Sequence, residues 1–208
     1  MSDGKPLQWP AAGDRPYLPT SRSWPLPHMG WARHPDHAAH LYVLGYRRAA
    51  EVLQAEVVRS SSEGLVFPLL FLWRQHLELY VKRLIELART VHDAEARTPF
   101  GHRLPDLWRE LRGLMQLEEL SDDVRAALDA TDQVMKDLEA VDPNSTHSRY
   151  AEGRSGKDQV MSLAGLPEHF DPQHFGAVLS KTSDFFDCVD IEYSSRLDAM
   201  AEAMASTT

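Results

Sequence analysis

Proline is distributed very unevenly along this chain, and that distribution sets the broadest limit on its fold. Seven of the 13 prolines lie within the first 35 residues, whereas residues 36–67 contain none. A helix cannot persist at such a density of proline, because each ring removes an amide donor and restricts the preceding residue. The sequence therefore predicts an extended N-terminal arm over residues 1–35 and a helical domain over residues 36–208.

The predicted arm carries large apolar side chains that a solvated tail would not need. They are Trp9, Tyr17, Trp24 and Trp31. Aromatic side chains of this size favour burial. Two interpretations follow. The arm lies across the helical body, or it binds a partner protein or a neighbouring subunit.

Beyond residue 35, apolar residues recur at spacings of three and four, which is the pattern of amphipathic helices. We expect helices over about residues 36–58, 65–96 and 104–118, a fourth after Ser121 and a fifth after Asp171. Ser121 and Asp171 are favourable N-caps, and Pro172 suits a first helical position. Residues 142–170 are polar and broken by glycine and proline, which predicts a polar loop or a short hairpin. The predicted fold is an all-α five-helix bundle with a long central helix.

Composition excludes several classes of function. With 22 basic and 31 acidic residues the net charge is −9, which disfavours non-specific binding to nucleic acid or membrane surfaces. Cys188 is the single cysteine, so an intrachain disulfide is excluded, and we expect this thiol to pack in the core. The most apolar stretch, residues 65–73, is far shorter than the roughly 20 residues that span a bilayer. With no recognisable secretory signal, we expect a soluble, cytoplasmic protein without membrane contact.

The second predicted helix places charges where an apolar face should be. At about 100° per residue, Arg74 and Glu78 fall within the apolar stripe that contains Ile85. Lys82 lies toward the edge of this stripe, and His76 lies roughly opposite, where a solvent face would be. Leu72 and Leu79 also lie near that side, so two alternatives stay open: a solvent face there, or a helix that is covered on most sides. Since an unpaired buried charge is costly, Arg74 and Glu78, one turn apart, are predicted to form an ion pair.

The further partners of this pair must come from the ends of other predicted elements. His102 precedes the third helix, Asp142 ends the fourth, and Arg149 lies beside Tyr150 early in the polar segment. One interpretation of such a cluster is a satisfied salt-bridge network that fixes the loops. The other is a pocket for phosphate or a similar anion, because perturbed polar clusters mark both kinds of site.

Three segments carry motifs in a recognisable order. Residues 67–79 read FPLLFLWRQHLEL and are followed by Lys82, residues 102–108 read HRLPDLW, and residues 142–150 read DPNSTHSRY. Together they resemble the FPxxFLYRHxLELxLK helix, the HxLxxLW element and the DPxSxxFRYP loop of a bacterial protein family of uncertain function. That family is associated with the HEPN-like group of helical domains. The resemblance covers about residues 40–190, and the N-terminal arm lies outside it.

Members of the HEPN-like group are often RNA-cleaving toxins or antiviral defence effectors, and others are non-catalytic. The resemblance implies a homodimer that acts on RNA in a bacterial defence or toxin–antitoxin context, as a ribonuclease without metal or other cofactor. In such a reaction Arg74 and Arg149 would hold the phosphate while His102 served as general acid or base. The residues that would bind or orient these groups are Glu78, Lys82, Asp142 and Tyr150.

The arginine–histidine spacing of HEPN ribonucleases occurs here at Arg22–His28, Arg33–His40 and Arg97–His102, none of which lies on a late helix. A second hypothesis is therefore a non-catalytic helical interaction or regulatory module, in which the polar cluster is structural and the arm engages a partner. A third is a histidine–metal enzyme. His34, His37 and His40 have spacing that suits zinc or nickel, but no second ligand cluster accompanies them.

Overall fold

The computed structural model describes residues 35–94, 99, 101–115, 121–155, 158–161, 163 and 165–206, together with six isolated positions among the first 34. The predicted arm therefore lies almost entirely outside the described residues. Of its four large aromatic residues, Tyr17 is described, and its side chain is exposed. Both interpretations of the arm stay predictions.

Five α-helices form the body of the described chain, which confirms the predicted all-α bundle. They are α1 (Pro35–Ser60), α2 (Val66–Val91), α3 (Leu104–Leu114), α4 (Asp122–Val141) and α5 (Pro172–Ala205). A short antiparallel hairpin precedes α5 and consists of β1 (Glu152–Ser155) and β2 (Asp158–Met161), with Glu152 opposite Met161. Of the two alternatives for the polar segment, the structure shows the hairpin.

Two helices begin at the caps that the sequence predicts. Ser121 Oγ accepts a hydrogen bond from the amide of Val124 at 3.4 Å, at the start of α4. Asp171 Oδ1 accepts from the amides of Gln173 and His174 at 2.9 and 3.0 Å, at the start of α5. These bonds satisfy amides that have no partner within the helix, so the caps fix where each helix begins.

The central helix ends earlier than predicted. α2 stops at Val91 rather than near residue 96. Asp93 takes the left-handed conformation, with φ 49°, and the amide of Ala94 bonds back to the carbonyl of Arg89 at 2.9 Å. A hydrogen bond from an amide to the carbonyl five residues earlier, across a left-handed residue, is typical of helix C-termini. Aspartate tolerates the left-handed conformation better than most residues.

α2 lies at the centre of the bundle and contacts α1, α3 and α5. Its Trp73 is fully buried. α5 runs parallel to α2, as two side-chain contacts show. The hydroxyl of Tyr80 donates to Asp187, and one turn further along both helices the guanidinium of Arg83 donates to Asp190. Among the described residues, no helix combines the length and apolarity needed to cross a membrane.

His76 is fully buried, because α1 and α5 together cover the side of α2 opposite Arg74. Of the two alternatives for this side of α2, the structure shows the covered one. One expectation about burial is wrong. Cys188, predicted to pack in the core, is exposed. The buried stripe of α5 repeats every seven residues, at Leu179, Phe186 and Tyr193. Cys188 follows Phe186 by two positions, about 200° around the helix, and so faces away from the core.

Candidate functional site

The centre of the candidate site is the ion pair on α2 that the sequence predicts. Arg74 and Glu78 are each only 1% exposed, and Arg74 Nη1 lies 3.2 Å from Glu78 Oε2. They sit one helical turn apart on a face that otherwise packs into the core, as the apolar spacing around them predicts. Two charges this deeply buried are tolerated only when their remaining hydrogen-bonding groups are also satisfied.

The other donors of Arg74 reach three further acceptors from distant elements. Nε donates to the main-chain carbonyl of Asp142 at 3.0 Å, and Nη2 donates to the main-chain carbonyl of His102 at 2.9 Å. Nη2 also donates to Glu139 Oε2 at 2.9 Å. The structure thus brings Arg74 to both predicted positions, 102 and 142, through their backbones. All three guanidinium nitrogens are engaged by protein acceptors.

The carboxylate of Glu78 is equally well occupied. Its Oε1 accepts from Lys82 Nζ at 2.8 Å and lies 2.8 Å from His102 Nδ1. Lys82 therefore stands where the helical wheel predicts, at the edge of the apolar face. The imidazole of His102 is 65% exposed, so it joins a sealed carboxylate to solvent. We call Arg74, Glu78, Lys82, His102, Glu139 and the carbonyl of Asp142 the Arg74 network.

Glu139 is a member that the sequence reasoning missed. Its Oε2 accepts from Arg74 and from the amide of Leu104 at 3.2 Å, while Oε1 accepts from the amide of Asn144 at 3.3 Å. The residue thereby joins α4 to the start of α3 and to the turn after α4. A signal was present, because Glu139 follows the buried Met135 by four positions and so shares its helical face.

The side chain of Asp142 does not orient Arg74 or His102, as the ribonuclease hypothesis requires. Instead, its Oδ1 accepts from the amide of His147 at 2.6 Å, and its Oδ2 accepts from the hydroxyl of Ser148 at 2.5 Å. The carboxylate folds the turn that leads from α4 to the hairpin. Only the carbonyl of this residue belongs to the Arg74 network.

Arg149 lies outside the Arg74 network, contrary to the predicted cluster, and so does its neighbour Tyr150. Arg149 is exposed, and its Nε donates to the carbonyl of Ser145 at 2.5 Å. Its guanidinium carbon lies 5.8 Å from the ring centre of Phe71 and 5.7 Å from that of Tyr150. The arginine is held by aromatic faces on the surface, one turn N-terminal to Arg74 along α2.

A second buried polar cluster, which the sequence analysis missed, lies on the opposite side of α2. His76 Nδ1 is 3.0 Å from the carbonyl of Val43, and Nε2 is 2.9 Å from the hydroxyl of Ser183. Arg47 Nη1 donates both to that hydroxyl and to Asp187, each at 3.0 Å. We call His76, Arg47, Ser183, Asp187 and Tyr80 the His76 network, since the Tyr80 hydroxyl also donates to Asp187, at 2.6 Å.

Burial determines the protonation of the His76 network. Loss of solvent lowers the pKa of His76 to about 4, although its hydrogen bond to Val43 opposes this shift. The neutral ring then donates from Nδ1 to the Val43 carbonyl and accepts the Ser183 hydroxyl proton at Nε2. Burial, followed by the hydrogen bond to Asp187, raises the pKa of Tyr80. Both rings are therefore neutral members of the core.

The histidine–metal hypothesis gains no ligand set in the described part of the chain. There, no group of three or more histidine, cysteine or carboxylate side chains is arranged to hold a metal ion. His37 and His40 lie on the first turns of α1 and are exposed. His34, the third member of the predicted triplet, lies outside the described residues.

Comparison of the chain with protein-family models, with curated proteins and with solved structures finds no match. The HEPN-like resemblance therefore stays a prediction. The two features of the site that bear most on its function are the sealed guanidinium of Arg74 and the exposed imidazole of His102.

Proposed function

We propose that the protein is a non-catalytic helical interaction or regulatory module, in which the Arg74 network is structural. The observation that carries this proposal is the state of Arg74. Its guanidinium is 1% exposed and bonds to four protein acceptors, on α2, on α4, in the turn after α4 and in the segment before α3. A phosphate could reach it only by displacing these acceptors and by approaching the carboxylates of Glu78 and Glu139, which is strongly unfavourable.

The geometry of the network fits the work of joining elements. Arg74 and Glu139 together connect the middle of α2 with residues 102–104 and with the turn at residues 142–144. These segments are far apart in sequence, and loops without such anchors are mobile. The network thus holds one end of the bundle and the turn before the hairpin in fixed positions. A binding module requires such a rigid framework.

The surface that supports an interaction role is the outward face of α1. Leu41, Leu44 and Val52 are exposed on one side of this helix, where a solvated helix would carry polar residues. We assign this face to a second copy of the chain, because an antiparallel α1 pair centred on Val52 brings opposite charges together. Arg48 of each copy then faces the partner's Glu56, since both are four residues from the centre. Within one copy these side chains pair with Glu51 and Arg59, and in the dimer they would also pair across the interface.

The dimer can be tested by measuring the native mass of the whole chain as a function of concentration. We expect a mass twice that of the chain, and Val52→Glu should shift it to the single-chain value by placing like charges at the centre. Val124→Glu, at a similarly exposed apolar position on α4, is the matched control and should leave the dimer intact. A wild-type protein that stays monomeric at all concentrations would overturn the α1 assignment.

A second candidate function, RNA cleavage, is favoured by one observation. His102 presents an exposed imidazole whose Nδ1 is held by the buried carboxylate of Glu78, an arrangement that suits general acid–base catalysis. In that reaction His102 Nε2 would take the proton of a ribose 2′-hydroxyl as it attacks the adjacent phosphorus. A 2′,3′-cyclic phosphate would form as the bond from phosphorus to the 5′-oxygen breaks. The departing 5′-oxygen would take a proton from water, and the protonated His102 would return its own proton to solvent. Arg149 and Tyr150 would contact the RNA from the segment before β1, where Arg149 lies against Phe71 of α2.

Incubation with labelled single-stranded RNA and transfer RNA separates the two candidates. The non-catalytic proposal expects no cleavage above the background of His102→Ala, a substitution at an exposed ring that should leave the fold intact. Cleavage by the wild type that His102→Ala and His102→Gln both abolish would overturn it and support the ribonuclease. Circular dichroism of both variants checks that they remain folded.

A further inference from the structure

An open groove lies between α4 and α5, below the segment that leads into α5. It encloses about 400 Å³, within the size range of small-molecule sites, roughly 300–1,000 Å³. Its walls are apolar side chains that are only partly buried, namely Val134, Leu138, Val141, Phe170, Phe175 and Val178. The buried Leu70 of α2 and Leu179 of α5 form part of its lining.

The groove exists because α4 is held mainly from its other side. Trp108 Nε1 on α3 donates to Asp132 at 2.5 Å, and Arg112 pairs with Asp129 at 3.1 Å. These contacts fix α4 against α3 while its Val134–Leu138–Val141 edge faces α5 with space between. Two facing helices here leave apolar surface partly exposed to water. Binding of an apolar ligand would remove that surface from water and would therefore be favourable in free energy.

The charges that line the groove favour a cationic ligand over an anionic one. Among the described residues that line it, the carboxylates of Asp137, Asp142 and Asp171 outnumber the guanidinium groups, of which Arg74 supplies one. Arg74 and Asp142 are committed to internal contacts, and Asp171 caps α5. Asp137 is exposed at the rim, and its contact there is the neutral amide of Gln133 at 2.7 Å. Two histidines, His169 and His174, complete the rim.

The aromatic side chains of the groove are consistent with the same choice. The rings of Phe170 and Phe175 lie 5.2 Å apart between centres and are tilted by 58°. Aromatic faces attract organic cations, and the attraction is stronger where water is partly excluded. With a net charge of −9, the chain as a whole also disfavours anionic ligands.

We propose that this groove binds an apolar organic cation, that is, an aromatic or alkyl body carrying a protonated amine or a quaternary ammonium group. The body lies between α4 and α5, and the cationic end lies at the rim near Asp137 and the two phenylalanines. This inference goes beyond the proposed function and does not depend on it. The groove is formed independently of His102 and of the α1 face.

Three isosteric probes test the proposal on the full-length protein: 4-phenylbutylammonium, 4-phenylbutan-1-ol and 4-phenylbutanoate, each titrated by calorimetry. We expect the ammonium compound to bind about five-fold more tightly than the alcohol, from one exposed ion pair and a ring contact. The carboxylate should bind most weakly. Absence of binding by all three would overturn the proposal, as would equal affinity or a preference for the carboxylate.

Variants locate the site. Asp137→Asn should weaken the ammonium probe about three-fold and leave the alcohol unchanged, as expected for loss of an exposed charge pair. Asp129→Asn is the matched control, because Asp129 lies on α4 but pairs with α3. Nuclear Overhauser effects between the probe's phenyl protons and the protons of Phe175 or Val178 provide a test without mutation. Contacts elsewhere on the molecule would overturn the assignment to the groove.

Discussion

The central residues of the Arg74 network and the His76 network are two positions apart on α2 and lie on opposite sides of the helix. The two networks bury polar atoms in different ways. The Arg74 network keeps its charges and surrounds them with counter-charges and carbonyls. The His76 network keeps its central ring neutral, since burial lowers the pKa of His76 to about 4. One network fixes the ends of elements, whereas the other fixes α1, α2 and α5 side by side. The difference predicts distinct responses to mutation and to pH.

The largest expected effect on stability comes from mutation of the Arg74 network. Arg74→Met should lower the free energy of unfolding by about 3–5 kcal/mol, because it removes the guanidinium shared by Glu78 and Glu139 and leaves Glu78 Oε2 and two main-chain carbonyls without their donor. Denaturant unfolding at neutral pH measures the loss. Arg59→Met, at an exposed arginine of α1, is the control and should change stability little. A loss below about 1 kcal/mol for Arg74→Met would mean that the network does not hold the fold together.

The next effect is a pH dependence that arises from the neutral ring of His76. The pKa of His76 falls from 6.5 to about 4 on folding, so the unfolded chain takes up a proton in this range while the native ring does not. Its stabilising contribution is complete above pH 6.5 and is lost as the pH falls to about 4. The total is about 3 kcal/mol.

Unfolding curves of the wild type and His76→Gln between pH 4 and pH 7 isolate this contribution. The variant should be less stable at pH 7, but its stability should decline less steeply on acidification than that of the wild type. Carboxylates elsewhere titrate in both proteins and cancel in the difference. Parallel curves for the two proteins would contradict the assignment of a neutral, buried His76.

A smaller effect is expected at the edge of the His76 network. Tyr80→Phe removes the hydroxyl that donates to Asp187 and should cost about 1 kcal/mol, because Asp187 keeps the guanidinium of Arg47 and contact with water. Thermal unfolding measures it. Tyr42→Phe, at an exposed tyrosine of α1, should be neutral. A loss as large as that of Arg74→Met would show that Asp187 has no other effective partner.

The smallest effect returns to the Arg74 network. His102→Ala should cost less than about 1 kcal/mol, because it removes an exposed ring while the residue's carbonyl still accepts from Arg74. Denaturant unfolding under the conditions used for Arg74→Met gives a direct comparison. A loss above about 2 kcal/mol would show that the imidazole, rather than the carbonyl, carries the contact.

Much of the fold follows from local sequence signals. The caps at Ser121 and Asp171 act within three residues, so they are readable without knowledge of the tertiary structure. The burial of Arg74 and Glu78 also follows from spacing, since neighbours at three and four positions share a face. The early end of α2 does not, because it depends on the conformation that Asp93 adopts.

The site could be predicted only in part, for a physical reason. Side-chain partners such as Glu139 carry a spacing signal, whereas a carbonyl acceptor has none, because every residue has one. The placement of Arg149 was wrong because the turn at residues 143–148 directs it to Phe71 instead of Arg74. The burial of His76 stayed open at the level of the sequence, because a helical wheel gives the faces of α2 but not the number of helices that cover them.

Two of the acceptors of Arg74 are main-chain carbonyls, at positions 102 and 142. No codon change can delete such an atom, so the side chains at these positions can drift over evolutionary time without removing the bonds. The guanidinium itself has no such protection, since a single nucleotide substitution replaces it. We therefore expect natural selection to act unevenly on this network: strictly at position 74, more loosely at position 102, and against insertions or deletions that would move either carbonyl.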